Sequence, residues 1–183
     1  MRIKEKSITL LLIAILVSHL GWIMEMLLFY FSFDVIADRG FVTLPFCPIY
    51  GITVVVIYLL IGTPRSGGAL LSGLSPSGVR VLLYFVSATL IPTLTELIGG
   101  EIMEKISGRV LWDYTSMKYN IGKYISLESS LTWGCMITGA MLLFDPIRRL
   151  IERIPRGIAA RVCAVLVSAI TVDFSVNLLL SIF

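Results

Sequence analysis

The chain has 183 residues, of which 57% are hydrophobic, and its 15 basic and 12 acidic residues give a formal net charge of +3. Its mean hydropathy of +0.92 is far above that of soluble domains, and its charged residues are too few to cover a water-exposed surface. This composition excludes a soluble enzyme, a disordered chain and a free nucleic-acid-binding protein, and three cysteines are too few for a disulfide framework.

The apolar residues gather in five windows, each close to the length that a bilayer requires. About 20 apolar residues in a helix cross the ~30 Å hydrocarbon layer. The sequence therefore predicts an all-α, polytopic membrane helical bundle that forms one integral membrane domain over residues 1–183. The predicted spans, in chain order, are residues 7–33, 48–62, 81–100, 129–145 and 162–182.

Two features inside these windows refine the prediction. The first window follows three basic residues but is too long for a cleaved signal peptide, so it is interpreted as a retained signal anchor. The second helix is expected to begin after Pro48, and Pro92 is expected to kink the third.

Basic residues indicate the orientation. An N-in arrangement places ten of them in inner segments and five in outer ones, so the positive-inside rule favours N-in and C-out. The segment 148–161, with five arginines, contributes most to this bias. It is interpreted as a topological anchor, with docking of a cytoplasmic partner as the alternative. With five spans, the first and third loops lie on the same, outer side.

The first outer loop, residues 38–51, cannot be a continuous helix because it contains two prolines and two glycines. It is nevertheless apolar after Arg39. An apolar, non-helical segment beside a membrane has to satisfy its backbone polar groups within protein. The sequence therefore predicts a partly re-entrant or tightly docked outer loop after helix one.

The third loop, about residues 101–127, mixes aromatic and charged residues, among them the run Trp112-Asp113-Tyr114. Two interpretations remain open for this composition. One is an interfacial binding surface, and the other is an aromatic belt at the level of the lipid headgroups.

Acidic residues within the spans are the strongest candidates for function, because an Asp at a helix centre costs roughly 2.5–3.5 kcal/mol on insertion scales. Glu25, Glu96 and Asp173 lie inside spans, and Glu128 lies at the outer mouth of the fourth. They either lock helices together or line a substrate pocket. Together with the loop residues, they give these candidate substrate-binding residues: Glu25, Arg39, Tyr50, Glu96, Trp112, Asp113, Tyr114, Asn120, Glu128 and Asp173.

Motifs for other chemistry are absent from the sequence. His19, the only histidine, is more typical of a hydrogen bond within the bundle than of a metal ligand, and no His/Cys cluster has metal-ligand spacing. No nucleophile elbow, zinc-protease or ATP-binding motif occurs. No metal or cofactor is expected, catalytic residues stay unassigned, and whether the protein is an enzyme stays open.

The chain resembles a bacterial membrane family labelled as an ABC-transporter permease of CmpB type, type IV. The resemblance covers about residues 21–145. Its first block is Trp22, Glu25, Arg39-Gly40-Phe41, Pro45 and Cys47-Pro48-Ile49-Tyr50-Gly51; its second is Glu96, Glu104-Lys105, Trp112-Asp113-Tyr114, Tyr119-Asn120-Ile121-Gly122 and Trp133-Gly134. The resemblance implies a transport-related protein of the bacterial cytoplasmic membrane.

Three functions stay open on this basis. The first is a small transport component, permease-like or substrate-capturing, with an outward-facing polar pocket. The second is a membrane-embedded enzyme acting on a lipid or cell-envelope precursor, and the third is a non-catalytic scaffold or sensor. The expected partners are the lipid bilayer, with a homo-oligomer and a separate ATPase or envelope protein as further options, and no nucleic acid.

Overall fold

The computed structural model describes residues 3–36, 41–65 and 78–182. These residues are mostly helical. Their elements, in chain order, are α1 (Ile3–Phe33), α2 (Pro48–Ile61), α3 (Gly78–Ser107), β1 (Asn120–Ile121), β2 (Ile125–Ser126), α4 (Leu127–Leu142), α5 (Phe144–Ile151) and α6 (Arg156–Ile182).

Three segments of the described residues are long and apolar enough to cross a membrane: Lys6–Phe31, Val81–Ser107 and Arg156–Ser181. Helices α4 and α5 are long and apolar enough only when taken together, across a bend of 47°. If this bent pair counts as one span, the described residues have up to four spans. Helix α2 has 14 residues, and at 1.5 Å per residue it is about 21 Å long, less than the hydrocarbon thickness. The protein is a mostly helical membrane protein, and the count of five spans stays a prediction.

The starts and ends of the helices agree only in part with those of the predicted spans. Helix α2 begins at Pro48, as expected, since proline suits the first helical position. Helix α3 is continuous through Pro92 and extends to Ser107, seven residues beyond the predicted span. The predicted fourth span is interrupted at Leu143, where α4 ends. These boundaries depend on local hydrogen bonds, which hydropathy does not report.

One small sheet departs from the all-α prediction. Strands β1 and β2 pair antiparallel, with Asn120 opposite Ser126 and Ile121 opposite Ile125. Gly122 follows β1 with a φ of +64°, a left-handed conformation that favours glycine. The strands are two residues long, too short for alternating hydrophobicity to predict them.

The chain folds into two compact units. Unit 1 comprises Met1–Ile52, Ser107–Arg109 and Arg148–Phe183, and unit 2 comprises Thr53–Ile106 and Val110–Ile147. Whether they form the single domain expected from the sequence stays a prediction.

In unit 1, the first turn of α2 packs closely against α1. A Cβ atom added to Gly51 would lie 2.2 Å from the carbonyl oxygen of Ala14, and one added to Gly21 would lie 2.3 Å from the ring of Tyr50. No side chain fits at such distances. The two glycines therefore set how near the two helices approach, and they position Tyr50 against α1.

In unit 2, aromatic side chains fill the core around α3 and α4. Tyr84 is almost fully buried, and its hydroxyl donates to the carbonyl oxygen of Gly62 at 3.3 Å. The rings of Tyr58 and Phe144 stack with their centroids 4.2 Å apart. Phe144 is the first residue of α5, so this contact stabilises the bend that follows α4.

The close packing of α1 and α2 leads to a first prediction. Gly51→Ala should destabilise the protein by roughly 1–3 kcal/mol, because the new methyl group meets rigid helix backbone. Gly139→Ala is the matched control, since no atom lies within 4 Å of its added Cβ; alanine there should be neutral or stabilising. Thermal unfolding in detergent measures both changes. Equal melting temperatures for the two variants would contradict the packing described here.

Candidate functional site

The non-helical segment 41–47 of unit 1 is bonded to α6 by side chains. The backbone N–H of Leu44 donates to Asp173 Oδ2 at 2.9 Å, and Asn177 Nδ2 donates to Thr43 Oγ1 at 3.1 Å. The same Asn177 amide donates to Asp173 Oδ1 at 3.1 Å. Both oxygens of Asp173 therefore accept from neutral amide groups. Asp173 satisfies a backbone donor that a helix would have satisfied internally.

The same segment is bonded to α1 on its other side. His19 Nδ1 donates to the carbonyl oxygen of Pro45 at 2.8 Å, which confirms the expected hydrogen bond of a lone histidine. The N–H of Cys47 donates to the carbonyl oxygen of Ser18 at 3.1 Å. Ser18 lies midway along the segment Lys6–Phe31. The start of α2 is therefore level with the middle of α1.

The N-terminus of α2 is satisfied within the protein. Pro48 has no N–H group, the N–H of Tyr50 donates to the carbonyl oxygen of Cys47 at 3.3 Å, and the N–H of Gly51 donates to Ser18 Oγ at 3.2 Å. Unpaired N–H groups at a helix start usually have to find partners in this way. These donors are bonded to protein acceptors rather than directed at a ligand.

Glu25 and Tyr50 form the most compact polar contact of unit 1. The Tyr50 hydroxyl donates to Glu25 Oε1 at 2.5 Å, and Tyr50 is 6% exposed while Glu25 is half-buried. In the part of the chain that the structure describes, neither Glu25 nor Asp173 accepts from a cationic side chain. Arg39, the cation that the sequence places nearest, lies outside the described residues. Within the described residues, neutral donors hold both carboxylates.

Unit 2 contains a second glutamate–tyrosine pair. Glu96 on α3 is 6% exposed and accepts from the hydroxyl of Tyr114 at 2.8 Å. The hydroxyl of Ser129, in the first turn of α4, donates to that of Tyr114 at 3.1 Å. The Tyr114 hydroxyl thus connects α3, the third loop and α4, and it brings two predicted site residues together.

The third loop is fixed on the end of α3 by charge. Lys123 and the Tyr124 hydroxyl each donate to Glu104 at 2.5 Å. Desolvation of the Tyr124 hydroxyl and its bond to Glu104 raise the pKa of Tyr124 to about 12. The ring of Trp112 meets that of Tyr124 edge-on, with centroids 6.1 Å apart. The N–H of Tyr114 donates to the carbonyl oxygen of Lys123 at 2.8 Å, which closes the loop.

Three predicted site residues do not join these clusters. Asp113 accepts from the N–H of Thr115 at 2.9 Å, and this bond lowers the pKa of Asp113. Asn120 Nδ2 donates to the carbonyl oxygen of Gly122 at 2.9 Å. Both contacts stabilise turns. Glu128 is exposed in the first turn of α4, where a negative charge favours the helix dipole.

Sequence reasoning missed several partners because they are small polar residues within apolar runs. Ser18, Thr43 and Ser129 hold the segment 41–47 and the Tyr114 hydroxyl in place. Hydropathy ranks such residues as neutral. Their only sequence signal is polarity inside a predicted span, for Ser18 and Ser129, or inside the apolar outer loop, for Thr43. The ring of the predicted site residue Trp112 packs on Tyr124, and in the described residues its buried Nε1 has no hydrogen-bond partner.

Comparison with protein families adds an independent result. A family model described as "Putative ABC-transporter type IV" matches residues 12–178. The chain belongs to this family. The matched region begins within α1 and ends within α6, so it covers both glutamate–tyrosine pairs. Searches of curated proteins and of solved structures gave no match.

The Glu25–Tyr50 contact leads to a second prediction for this family member. Tyr50→Phe should lower the free energy of unfolding by roughly 1.5–3 kcal/mol, the range for a hydrogen bond to a charged group. Tyr58→Phe is the control, because Tyr58 packs by its ring against Phe144 and its hydroxyl has no hydrogen bond in the described residues. Unfolding by denaturant in detergent gives both values, and a loss no larger than that of the control would argue against the contact.

Proposed function

We propose that the protein is the substrate-capturing or permease-like component of a transport system in the bacterial cytoplasmic membrane. The observation that carries this proposal is the state of Glu25 and Asp173, whose carboxylates accept from neutral donors in the described residues. Ionisable residues inside spans commonly mark substrate or ion pathways. Membership of the ABC-transporter type IV family supports the same interpretation.

Charge makes the proposal more specific. In the described residues, no cationic side chain balances the charge that Glu25 or Asp173 carries when ionised. Helix α2 has its early N–H groups bonded within the protein, so an anion gains little from that helix end. Both features favour a solute that carries a positive charge or several hydrogen-bond donors.

The segment 41–47 and α2 are proposed to form the second of five spans together. Helix α2 alone covers about 21 Å, so the segment 41–47, whose residues 41–45 form bends, has to supply the rest of the crossing. The bond between Cys47 and Ser18, midway along Lys6–Phe31, supports a break near the centre of the bilayer. Broken helices of this kind surround the binding sites of many secondary transporters.

The orientation and partners follow from the sequence. With N-in and C-out, Glu25 and Glu96 lie in the outward half of their helices, and Asp173 lies near the middle of the last span. The chain has no ATP-binding motif, so a transporter of ABC type requires a separate ATPase. The inner, arginine-rich segment 148–161 is the proposed surface for it.

A binding experiment tests the proposed substrate pocket. A panel of amines, guanidines, amino acids, neutral sugars and carboxylic acids is added to the purified protein, and the melting temperature is measured. At least one cationic compound should raise the melting temperature. Glu25→Gln should lower the affinity for that compound about tenfold, which corresponds to ~1.4 kcal/mol of binding free energy.

Glu152→Gln is the control for this experiment, because Glu152 pairs with Arg148 at 2.9 Å, away from the proposed pocket. It should bind as the unmodified protein does. Stabilisation by anions alone, or equal binding by both variants, would refute the cationic pocket.

Labelling of Cys47 tests the orientation and the broken span. With Cys135 and Cys163 replaced by alanine, a small membrane-impermeant thiol reagent should label Cys47 from the outside and not from the cytoplasm. Labelling from the cytoplasm alone would reverse the proposed orientation. Absence of labelling from either side, with labelling restored by denaturation, would contradict an open path from the outer surface to the break.

A further inference from the structure

Between α3 and α4, outside the three candidate spans, Tyr119 and Ile121 are the most exposed large apolar or aromatic side chains of the described residues. Ile121 is 72% exposed and Tyr119 is 54% exposed. Ile121 lies in β1, and Tyr119 lies in the turn directly before it. Exposure to lipid inside a span explains most other apolar residues at the surface of a membrane protein, but it does not by itself explain these two.

The hairpin that carries them is bonded to the start of α4. The N–H of Leu127, the first residue of α4, donates to the carbonyl oxygen of Tyr119 at 3.0 Å. Ile121 pairs with Ile125, two residues before Leu127. Leu127 is itself 51% exposed. The exposed face of the hairpin is therefore continuous with the apolar surface at the end of a predicted membrane helix.

The hairpin is also held at the turn between its two strands. Lys123 and Tyr124 both donate to Glu104 in the last turn of α3. Ser126, at the end of β2, caps α4 by accepting from the N–H of Ser129 at 3.0 Å. Because the hairpin is fixed between two helix ends, it cannot turn its apolar residues away from the surface without breaking these bonds.

A basic side chain accompanies the exposed pair. Lys118 Nζ lies 5.2 Å from the centroid of the Tyr119 ring, and Lys118 is exposed. Tyrosine rings are enriched where hydrocarbon meets headgroups, and lysine side chains extend along apolar surface towards anionic groups. Ile121, Tyr119 and Lys118 thus supply an apolar side chain, an amphipathic ring and a positive charge. From the acyl chains outwards to the water, these are the side chains typical of a bilayer surface.

We propose that Lys118, Tyr119 and Ile121, hereafter the anchor segment, form a lipid anchor in the headgroup layer of the leaflet at which α4 begins. Ile121 contacts the upper acyl region, Tyr119 lies among the headgroups, and Lys118 binds anionic lipid phosphate. The anchor fixes the depth of the third loop, and with it the height of Tyr114 above Glu96. It does not depend on what the protein transports.

Fluorescence quenching in reconstituted vesicles tests the anchor. A single cysteine is introduced as Ile121→Cys, with Cys47 and Cys135 replaced by alanine and the buried Cys163 retained. The cysteine carries an environment-sensitive fluorophore, and the vesicles contain phosphatidylcholine with phosphatidylglycerol. Ser116→Cys, at an exposed position of the same loop, is the water-exposed control.

The label at position 121 should emit at shorter wavelength than the label at position 116. It should also be quenched by lipids brominated on their acyl chains and be protected from iodide in the water. The reverse pattern would refute the anchor, as would equal bromine quenching at both positions. A short-wavelength emission that appears in native membranes but not in vesicles of purified protein would mean that a protein partner, not lipid, covers the anchor segment.

The contribution of Lys118 is measured in the same vesicles. Lys118→Gln keeps a polar side chain of similar length and removes the charge. It should lower bromine quenching at position 121 in vesicles with phosphatidylglycerol and leave it unchanged in vesicles of phosphatidylcholine alone. An equal change in both lipids, or none in either, would exclude recognition of anionic lipid by Lys118.

Discussion

The structure depends on one constraint, which is that backbone polar groups inside a membrane protein must bond within the protein. The segment 41–47 has no helix to satisfy them. Asp173, His19 and the Ser18 carbonyl supply the partners instead, from two helices on either side of the segment. This requirement explains why an aspartate and the only histidine lie in predicted spans, where they would otherwise be costly.

Each of the two units holds the carboxylate of a glutamate by a hydrogen bond from a tyrosine hydroxyl. Glu25 accepts from Tyr50, and Glu96 accepts from Tyr114, so in each case a tyrosine hydroxyl bonds a glutamate on a long helix. Each tyrosine fixes the orientation of its carboxylate, and in the described residues Glu25 accepts from no cationic side chain. Fixed negative charge of this kind is a structural cost, and a role in binding solute gives the reason for retaining it in the proposed function.

Glu104 shows the contrasting arrangement. Its carboxylate is bonded to Lys123 as well as to a tyrosine hydroxyl, at the end of α3 rather than within it. This ion pair fixes the third loop and leaves little charge for a ligand. Glu25 and Glu104 are both glutamates bonded to a tyrosine, but only Glu104 is also paired with a described lysine. This ion pair marks Glu104 as structural, whereas Glu25 is a candidate binding group.

The sequence by itself determined that this is a helical membrane protein of a particular family, because hydropathy, charge bias and the blocks around Tyr50 and Tyr114 are local properties of the chain. It also identified Glu25 and Glu96 as unusual. Only the tertiary structure decided where helices break and which donor meets which carboxylate. The bond from Cys47 to Ser18 and the hairpin before α4 join residues whose pairing depends on packing, which no local pattern records.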